Sequence, residues 1–131
     1  MEAKSLLVEC VEDCGNAPKK LLIKEISIDY WGDRGQKFLD QLADEAVRVV
    51  VGGPRHVGIE AIRAQMANDR AGQPTELRIH HIITHGNTAA ANATVIMQDG
   101  SRMEYCDVYR FSGFGKKAKI KEITSYRIYI Q

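Results

Sequence analysis

The chain has 131 residues, 44% of them hydrophobic, and its 18 Lys and Arg against 17 Asp and Glu give a formal net charge of +1. This balance is not typical of a protein that neutralises nucleic-acid phosphates, so we expect no nucleic acid as a partner. The length predicts a single domain, residues 1–131, that folds without a metal or a disulfide. No apolar run approaches the length of a membrane span, so we expect no membrane contact either.

The three cysteines and the lack of a signal-like segment predict a reducing compartment, so we expect a cytoplasmic protein. Cys10 and Cys14 lie one helical turn apart, which allows a disulfide or half of a metal site. No second pair of ligands with suitable spacing follows them, so we favour two reduced thiols.

The first half of the chain has the pattern of helices, punctuated by Gly, Asn and Pro where one helix ends and the next begins. Apolar residues recur at helical spacing, and one β-branched run is typical of a strand. The predicted elements are a helix over 3–14, a helix from the first turn at Pro18 to about Trp31, a short helix marked by Phe38, Leu39 and Leu42, a strand over 47–51, a helix that turns Ile59, Ile62 and Met66 inward, and a polar loop over 68–74.

From Thr75 onward the period changes to two, and turn residues separate four strands of similar length. Helices followed by an antiparallel meander predict an α+β fold in which the helices cover one face of a curved sheet. The predicted strands span about 76–85, 88–98, 101–112 and 118–130, with turns at 86–87, 99–100 and 112–117.

Asp107 is the residue that most needs an explanation, because it lies in the middle of an aromatic strand. Alternation places it on one face with Tyr105, Tyr109, Met103 and Phe111. If that face is buried, the acid must be hydrogen-bonded or protonated, which is a common functional device. The alternative is an edge strand whose Asp meets water.

Strand register predicts partners for Asp107. Two-residue turns at 86–87 and 99–100 place Asn92 opposite Asp107 and His81 opposite Asn92. Directly opposed residues point to the same side of a sheet, so these three residues form a polar row in this interpretation. A one-residue bulge in either hairpin would break the row.

The opposite face of the same strands is predicted to pair Ala93 with Cys106 and Ala91 with Val108, with charged residues around them. Small apolar residues ringed by charges favour packing against a second copy of the chain, so we expect a homodimer through this face. The alternative is a half-solvated outer surface.

The four histidines do not predict a metal site. His80 and His81 are adjacent on a strand and point to opposite faces, while His81 and His85 lie about 13 Å apart along it. Neither pair can coordinate one ion, so we expect no metal and no cofactor.

Several large apolar side chains are candidates for a pocket lining, although a place in the core is the alternative for each of them. Tyr105 and Tyr109 share the face of Asp107 on its own strand. The candidates are Tyr30, Trp31, Phe38, Met66, Tyr105, Tyr109 and Tyr126.

The order of elements and several short motifs resemble the SnoaL-like and ketosteroid-isomerase-like proteins of the nuclear-transport-factor-two-like superfamily. The resemblance covers Pro18–Ile130 and implies a cone-shaped barrel, with N-terminal helices packed on a strongly bent, mainly antiparallel sheet around an apolar pocket. It also implies dimers formed through the sheet. The motifs are Gly32-Asp33, Leu-Ala-Asp-Glu-Ala-Val at 42–47, Val-Gly-Ile-Glu-Ala-Ile at 57–62, Cys-Asp-Val-Tyr-Arg-Phe at 106–111 and Ile-Thr-Ser-Tyr at 123–126.

Within that resemblance, Asp107 matches the acid that ketosteroid isomerases use in protonated form as an oxyanion-hole donor. The position of the isomerase's proton-shuttling acid falls on Val50, and that of its phenolic donor on Glu25, which argues against steroid-type isomerisation. Epoxide hydrolysis of the limonene type needs an Asp-Arg-Asp set facing the pocket, and Arg102 and Arg110 are predicted to point away from it.

The sequence therefore supports two hypotheses. The first is a small-molecule-binding protein that acts as a cofactor-independent cyclase or isomerase on a carbonyl-bearing substrate. Asp107 transfers a proton, and His81 and Asn92 orient the acid or the developing enolate oxygen. It predicts a cavity of at least about 300 Å³ beside Asp107. The second is a non-catalytic ligand-binding or dimerisation module in which Asp107 is a satisfied structural acid.

Overall fold

The structure is a computed structural model that describes residues 6–11, 13–15, 17–115 and 117–130. Within these residues, three helices and seven strands follow one another along the chain. They are β1 (Leu7–Cys10), α1 (Pro18–Trp31), α2 (Gly35–Asp40), β2 (Leu42–Val50), β3 (Arg55–Val57), α3 (Ile59–Arg70), β4 (Pro74–His85), β5 (Thr88–Met97), β6 (Arg102–Phe111) and β7 (Ile120–Ile130).

The strands form one curved, unclosed sheet in the order β1-β4-β5-β6-β7-β2-β3. The pairs β1 with β4 and β2 with β7 are parallel, and the other pairs are antiparallel. The predicted α+β class with a mainly antiparallel sheet is confirmed. None of the helices in the described parts of the chain is long and apolar enough to span a membrane.

Helix α1 has the predicted bounds, and its ends show why. Pro18 occupies the first turn, where no backbone donor is needed. At the other end the Gly32 amide donates to the Ile28 carbonyl at 2.8 Å, and a Cβ at Gly32 would lie 2.8 Å from the same oxygen. A glycine therefore ends the helix directly after Tyr30 and Trp31 have been placed in the core.

The prediction of a helix over 3–14 is wrong for the residues of this range that the structure describes. Leu7–Cys10 is a strand that pairs in parallel with Glu76–Ile79 of β4. Residues 1–5 and 12 lie outside the described parts. A short isolated helix is marginal in water, whereas the edge of β4 offers a row of backbone partners. The strand β3 was not predicted, and Leu42, assigned to the short helix, is the first residue of β2. The remaining differences are at boundaries, since the polar loop shortens to residues 71–73.

The hairpin between β5 and β6 differs from the prediction by one residue. The turn has three residues, 98–100, closed by bonds from the Met97 amide to the Ser101 carbonyl and from the Gly100 amide to the Met97 carbonyl, both at 2.9 Å. Gly100 has a φ of +86°, the left-handed conformation that such turns need at this place. Every pair between the two strands is therefore displaced by one residue.

The displacement moves the alanines of β5 to the concave, helix-covered face of the sheet. Ala91 lies opposite Asp107, and Ala89 and Ala93 lie opposite Tyr109 and Tyr105. All three alanines are buried, so the prediction that they form an outer dimerisation face is wrong. Their size provides the physical reason, because small residues opposite bulky rings let the core fill without overpacking.

Candidate functional site

Asp107 lies at the centre of β6 on the concave face and is only 6% exposed. Its Oδ2 is 3.8 Å from Nη2 of Arg48, and its Oδ1 is buried without a hydrogen-bond partner. The prediction that this carboxylate is on a buried face is correct, and its ionic partner is a residue that the sequence analysis did not select.

Arg48 comes from β2 and is 2% exposed. Its guanidinium lies between two carboxylates, Asp107 on one side and Asp69 on the other, with Nη1 3.7 Å from Asp69 Oδ2. The guanidinium also stands over the ring of Tyr30, 4.4 Å from its centroid. Burial acts to lower the pKa of Arg48, but Tyr30 and Asp107 outweigh it and the pKa is raised, so the charge persists.

A second ion pair continues the chain of charges. Arg127 of β7 binds Asp69 of α3 through two parallel hydrogen bonds of 2.9 and 2.7 Å, and its Nε donates to Ser125 Oγ at 3.2 Å. Burial alone would raise the pKa of Asp69, but the hydrogen bonds and charge of Arg127 hold it below its ordinary value.

The hydroxyl of Tyr30 joins the two ion pairs. It donates to Asp69 Oδ2 and accepts from Arg48 Nη1, and burial raises the pKa of the phenol so that it remains protonated. We refer to Asp107, Arg48, Tyr30, Asp69 and Arg127 as the polar array. It is formed by five elements, α1, β2, α3, β6 and β7, and its two positive charges balance its two negative charges.

On the inner side of the polar array, the space beside Asp107 is small. The cavity found there is largely enclosed and has a volume of only about 10 Å³. The rings of Trp31 and Phe38 pack edge-on against Tyr30, and the Trp31 indole donates to the Tyr105 hydroxyl at 3.0 Å. The prediction of a cavity of at least about 300 Å³ beside Asp107 is therefore wrong.

On the outer side of the polar array, an open cleft has a volume of about 540 Å³. It lies between α3, β3 and the ends of β2 and β7. Asp69 and Arg127 line it and thus connect it to the array. The lining residues are Val50, Pro54, His56, Ala61, Ala64, Gln65, Asn68, Asp69, Arg127 and Tyr129.

The aromatic candidates divide into two groups. Tyr30, Trp31, Phe38, Tyr105 and Tyr109 line the small cavity together with Asp107. Burial raises the pKa of both Tyr105 and Tyr109, so these hydroxyls remain protonated.

Two candidates lie elsewhere. Met66 is buried against Gly35, where a Cβ would come within 2.6 Å of its Cε, so it packs between α3 and α2 and does not line the cavity. Tyr126 is 50% exposed and lies opposite Cys106, on the convex face.

His81 and Asn92 are brought together but not beside Asp107. His81 Nδ1 lies 3.0 Å from Asn92 Oδ1, as their predicted pairing requires. Asn92 lies opposite Cys106, so both residues are on the convex face, and the predicted row of three is wrong. Across the described residues, no three or more His, Cys, Asp or Glu side chains are grouped to hold a metal ion.

Sequence reasoning missed Arg48, Asp69 and Arg127. Arg48 carried the same signal as Asp107, a charged residue inside an apolar strand, because its neighbours are Val47 and Val49. Asp69 lay in a stretch interpreted as a polar loop, and α3 in fact continues to Arg70. No local signal connects Asp69 with Arg127, which is 58 residues away.

Comparison with known proteins identifies the family of the fold. Residues 29–122 of this chain match the family model of the SnoaL-like domain. Among solved structures, an NTF2-like protein of unknown function from Cytophaga hutchinsonii is 20% identical with a TM-score of 0.63, covering 83% of this chain and 98% of its own. One from Burkholderia xenovorans is 19% identical with a TM-score of 0.62, covering 86% of each chain.

A third structural relative was solved in complex with trimethylamine. It is a hypothetical protein with a ketosteroid isomerase-like fold from Catenulispora acidiphila, 15% identical with a TM-score of 0.65, and the match covers 80% of this chain and 83% of that one. A search of curated proteins gives no match. At these identities the structural relatives establish the fold.

Proposed function

This chain belongs to the SnoaL-like family, and from that premise we propose that it binds a small organic molecule in the open cleft, against the polar array. The observation that carries the proposal is the position of Asp69 and Arg127. They form the inner wall of a cleft large enough for a small metabolite, they bind each other, and Asp69 is also bound by Tyr30 and paired with Arg48.

The lining of the cleft defines the kind of ligand. Val50, Pro54 and Ala64 offer apolar contact, while Gln65 and Asn68 offer amide groups. Since the two arginines of the array are neutralised by its two carboxylates, the wall favours a neutral molecule with a carbonyl or hydroxyl group over a strong ion. The trimethylamine complex of the Catenulispora protein supports binding of small organic molecules by this fold.

The catalytic part of the proposal is a proton transfer on a carbonyl-bearing ligand without a cofactor. A ligand in the cleft meets Asp69 and Arg127 first, and Asp107 lies behind Arg48. In a cyclase or isomerase reaction, Arg127 and Arg48 supply positive charge for a developing enolate oxygen, while the carboxylates exchange the proton. The catalytic roles expected for His81 and Asn92 receive no support from their place on the convex face.

A thermal-shift screen of carbonyl-bearing and aromatic metabolites tests binding, with Ala64→Phe as the blocking variant. Ala64 lines the cleft from the exposed side of α3, so the ring fills the cleft with little strain. Ala67→Phe is the matched control, since Ala67 is exposed on the same helix and is not part of the lining. The proposal predicts a stabilising ligand whose effect is lost in Ala64→Phe and kept in Ala67→Phe. Equal loss in both variants, or no binding, contradicts it.

Turnover is tested separately with Asp107→Asn. If the array catalyses the reaction, this variant keeps the ligand-induced shift in Tm and loses turnover of the same compound. If the protein only binds its ligand, the wild type has no turnover to lose. That second result selects the non-catalytic binding module.

The position of Arg48 favours a second candidate function, hydrolysis of an epoxide. Arg102 and Arg110 lie on the convex face and point away from Asp107, as predicted, but Arg48 places a guanidinium between Asp107 and Asp69 on the concave face. One carboxylate takes a proton from the attacking water, an arginine stabilises the charge on the ring oxygen as the ring opens, and that oxygen takes its proton from solvent. Incubating small epoxides in H₂¹⁸O tests this candidate, and ¹⁸O in a diol product supports it. Unchanged epoxides exclude it for the compounds used.

We also propose that the convex face pairs with a second copy of the chain. Ile83, Tyr126 and Ile128 are 65%, 50% and 67% exposed on this face of β4 and β7. Tyr126→Glu is expected to give a monomer in light scattering, while Val57→Glu, at an equally exposed apolar residue on β3, leaves the dimer intact. A monomeric wild type overturns the proposal.

A further inference from the structure

The largely enclosed cavity beside Asp107 has the size of one water molecule. Its volume is about 10 Å³, and the space for a single water begins at roughly 10–15 Å³ on the same scale. Ile26, Phe38 and Ile123 close it on the apolar side, while Asp107 and Arg48 contribute polar groups. No larger ligand fits between these side chains without moving them.

Two polar atoms of the residues that line this cavity have no hydrogen-bond partner. They are Oδ1 of Asp107, an acceptor, and Nε of Arg48, a donor, and both are buried. The other atoms of the same groups are engaged, because Oδ2 of Asp107 lies near Arg48 Nη2, and Arg48 Nη1 bonds to Tyr30. Buried polar groups in folded proteins are nearly always paired, so these two atoms require a partner.

A third group offers a further hydrogen bond. The Tyr105 hydroxyl accepts from the Trp31 indole at 3.0 Å, which leaves its own proton to donate, and Tyr105 lines the cavity. Burial keeps the pKa of this phenol raised, so the proton stays on it. A buried water is typically held by about three such partners.

We propose that this cavity is a binding site for one water molecule, which accepts from Arg48 Nε–H and donates to Asp107 Oδ1. The water satisfies both unpaired atoms and completes the inner end of the polar array. This inference goes beyond ligand binding in the cleft and does not depend on it.

A crystal structure of the full chain at a resolution that shows ordered water tests the site. The expected result is one density peak within hydrogen-bonding distance of both Asp107 Oδ1 and Arg48 Nε. A cavity without density overturns the proposal. Because the cleft plays no part in this measurement, failure of the water site and failure of ligand binding are distinguishable.

Variants of Asp107 provide a second measurement in solution. Oxygen-17 relaxation dispersion counts long-lived internal waters, and we expect Asp107→Leu to hold one fewer than wild type because an apolar side chain offers no acceptor. Asp107→Asn, which keeps an oxygen of the same shape, is the matched control and should retain the water. An unchanged count in Asp107→Leu contradicts the site, and the wild-type crystal decides the question if that variant does not fold.

Discussion

On the concave face of the sheet, Asp107 and Arg48 are buried, Asp69 is mostly buried, and the three depend on one another for charge balance. On the convex face, His81 and Asn92 also pair across strands, at 3.0 Å, but His81 is exposed. Both groups follow from the same two-residue alternation of the strands. The difference lies in their solvation, because water can replace the partner of an exposed group and cannot reach a buried one. The same kind of substitution should therefore have very different effects on the two faces.

The largest expected effect is that of Arg48→Met. The apolar side chain fills most of the same volume but leaves Asp107 and Asp69 buried near each other without their shared cation. Removing one partner of a buried ion pair costs about 3–5 kcal/mol in the free energy of unfolding. Equilibrium urea denaturation followed by tryptophan fluorescence measures it, since Trp31 is buried beside the array.

Arg110→Met is the matched control for Arg48→Met. Arg110 lies 3.4 Å from Glu122, and both side chains are largely exposed, so its loss should change the free energy of unfolding by less than about 1 kcal/mol. Comparable losses in the two variants would show that burial does not distinguish the faces.

Asp69→Asn is expected to cost about 2–3 kcal/mol at neutral pH, because it removes charge-assisted bonds to Arg127. It also changes the dependence on pH. The pKa of Asp69 is lower in the folded state than its ordinary value of 3.8, so the unfolded chain binds the proton more readily. Asp69 therefore stabilises the fold above that value, and the stabilisation is lost as the pH falls through the folded pKa.

Unfolding measured from pH 6 down to about pH 3 tests this linkage. The wild type should lose stability more steeply than Asp69→Asn over the acid end of that range, so the difference between them narrows. Parallel curves for the two proteins would mean that Asp69 does not carry the lowered pKa.

Tyr105→Phe tests the neutral hydrogen bond between Trp31 and Tyr105, which lies beside the array. The substitution leaves the Trp31 indole N–H buried without its acceptor, while the ring packing is retained. An unsatisfied buried donor costs about 1–2 kcal/mol in the free energy of unfolding. Trp31→Phe in the Tyr105→Phe background completes a double-mutant cycle, and a coupling energy near zero would contradict the bond.

The sequence predicted the elements of the second half well, because turn residues and alternation are local signals. The hairpin at 86–87 and the pairing of His81 with Asn92 are confirmed. The predicted register of the hairpin at 99–100 was wrong by one residue. The reason is that Asp-Gly fits both a two-residue turn and a three-residue turn with a left-handed glycine. That single residue moved three alanines inward and separated Asn92 from Asp107.

The sequence did not predict the polar array because its members are far apart along the chain. Asp107 was found because an acid within an aromatic strand is anomalous on its own. The other members of the array come from α1, β2, α3 and β7, and pairing between them depends on how the helices lie on the sheet. The parallel pairing of β2 with β7, which brings Arg48 next to Ile123, is not encoded by any turn. A resemblance to the SnoaL-like fold indicated the pocket face but not the cation within it.

The smallest expected effect tests the convex face. Asn92→Ala removes the partner of His81, but water replaces it at an exposed histidine, so we expect a change below about 0.5 kcal/mol in the free energy of unfolding. Ligand binding in the cleft should be unchanged as well, because the sheet separates the two sites. The effects of Asn92→Ala and Asp107→Asn on turnover can be compared directly, because the sequence predicted both residues in one row and the structure places them on opposite faces of the sheet. Loss of turnover in Asn92→Ala at normal stability would show that the convex face takes part in catalysis, and the assignment of function to the concave face would then be wrong.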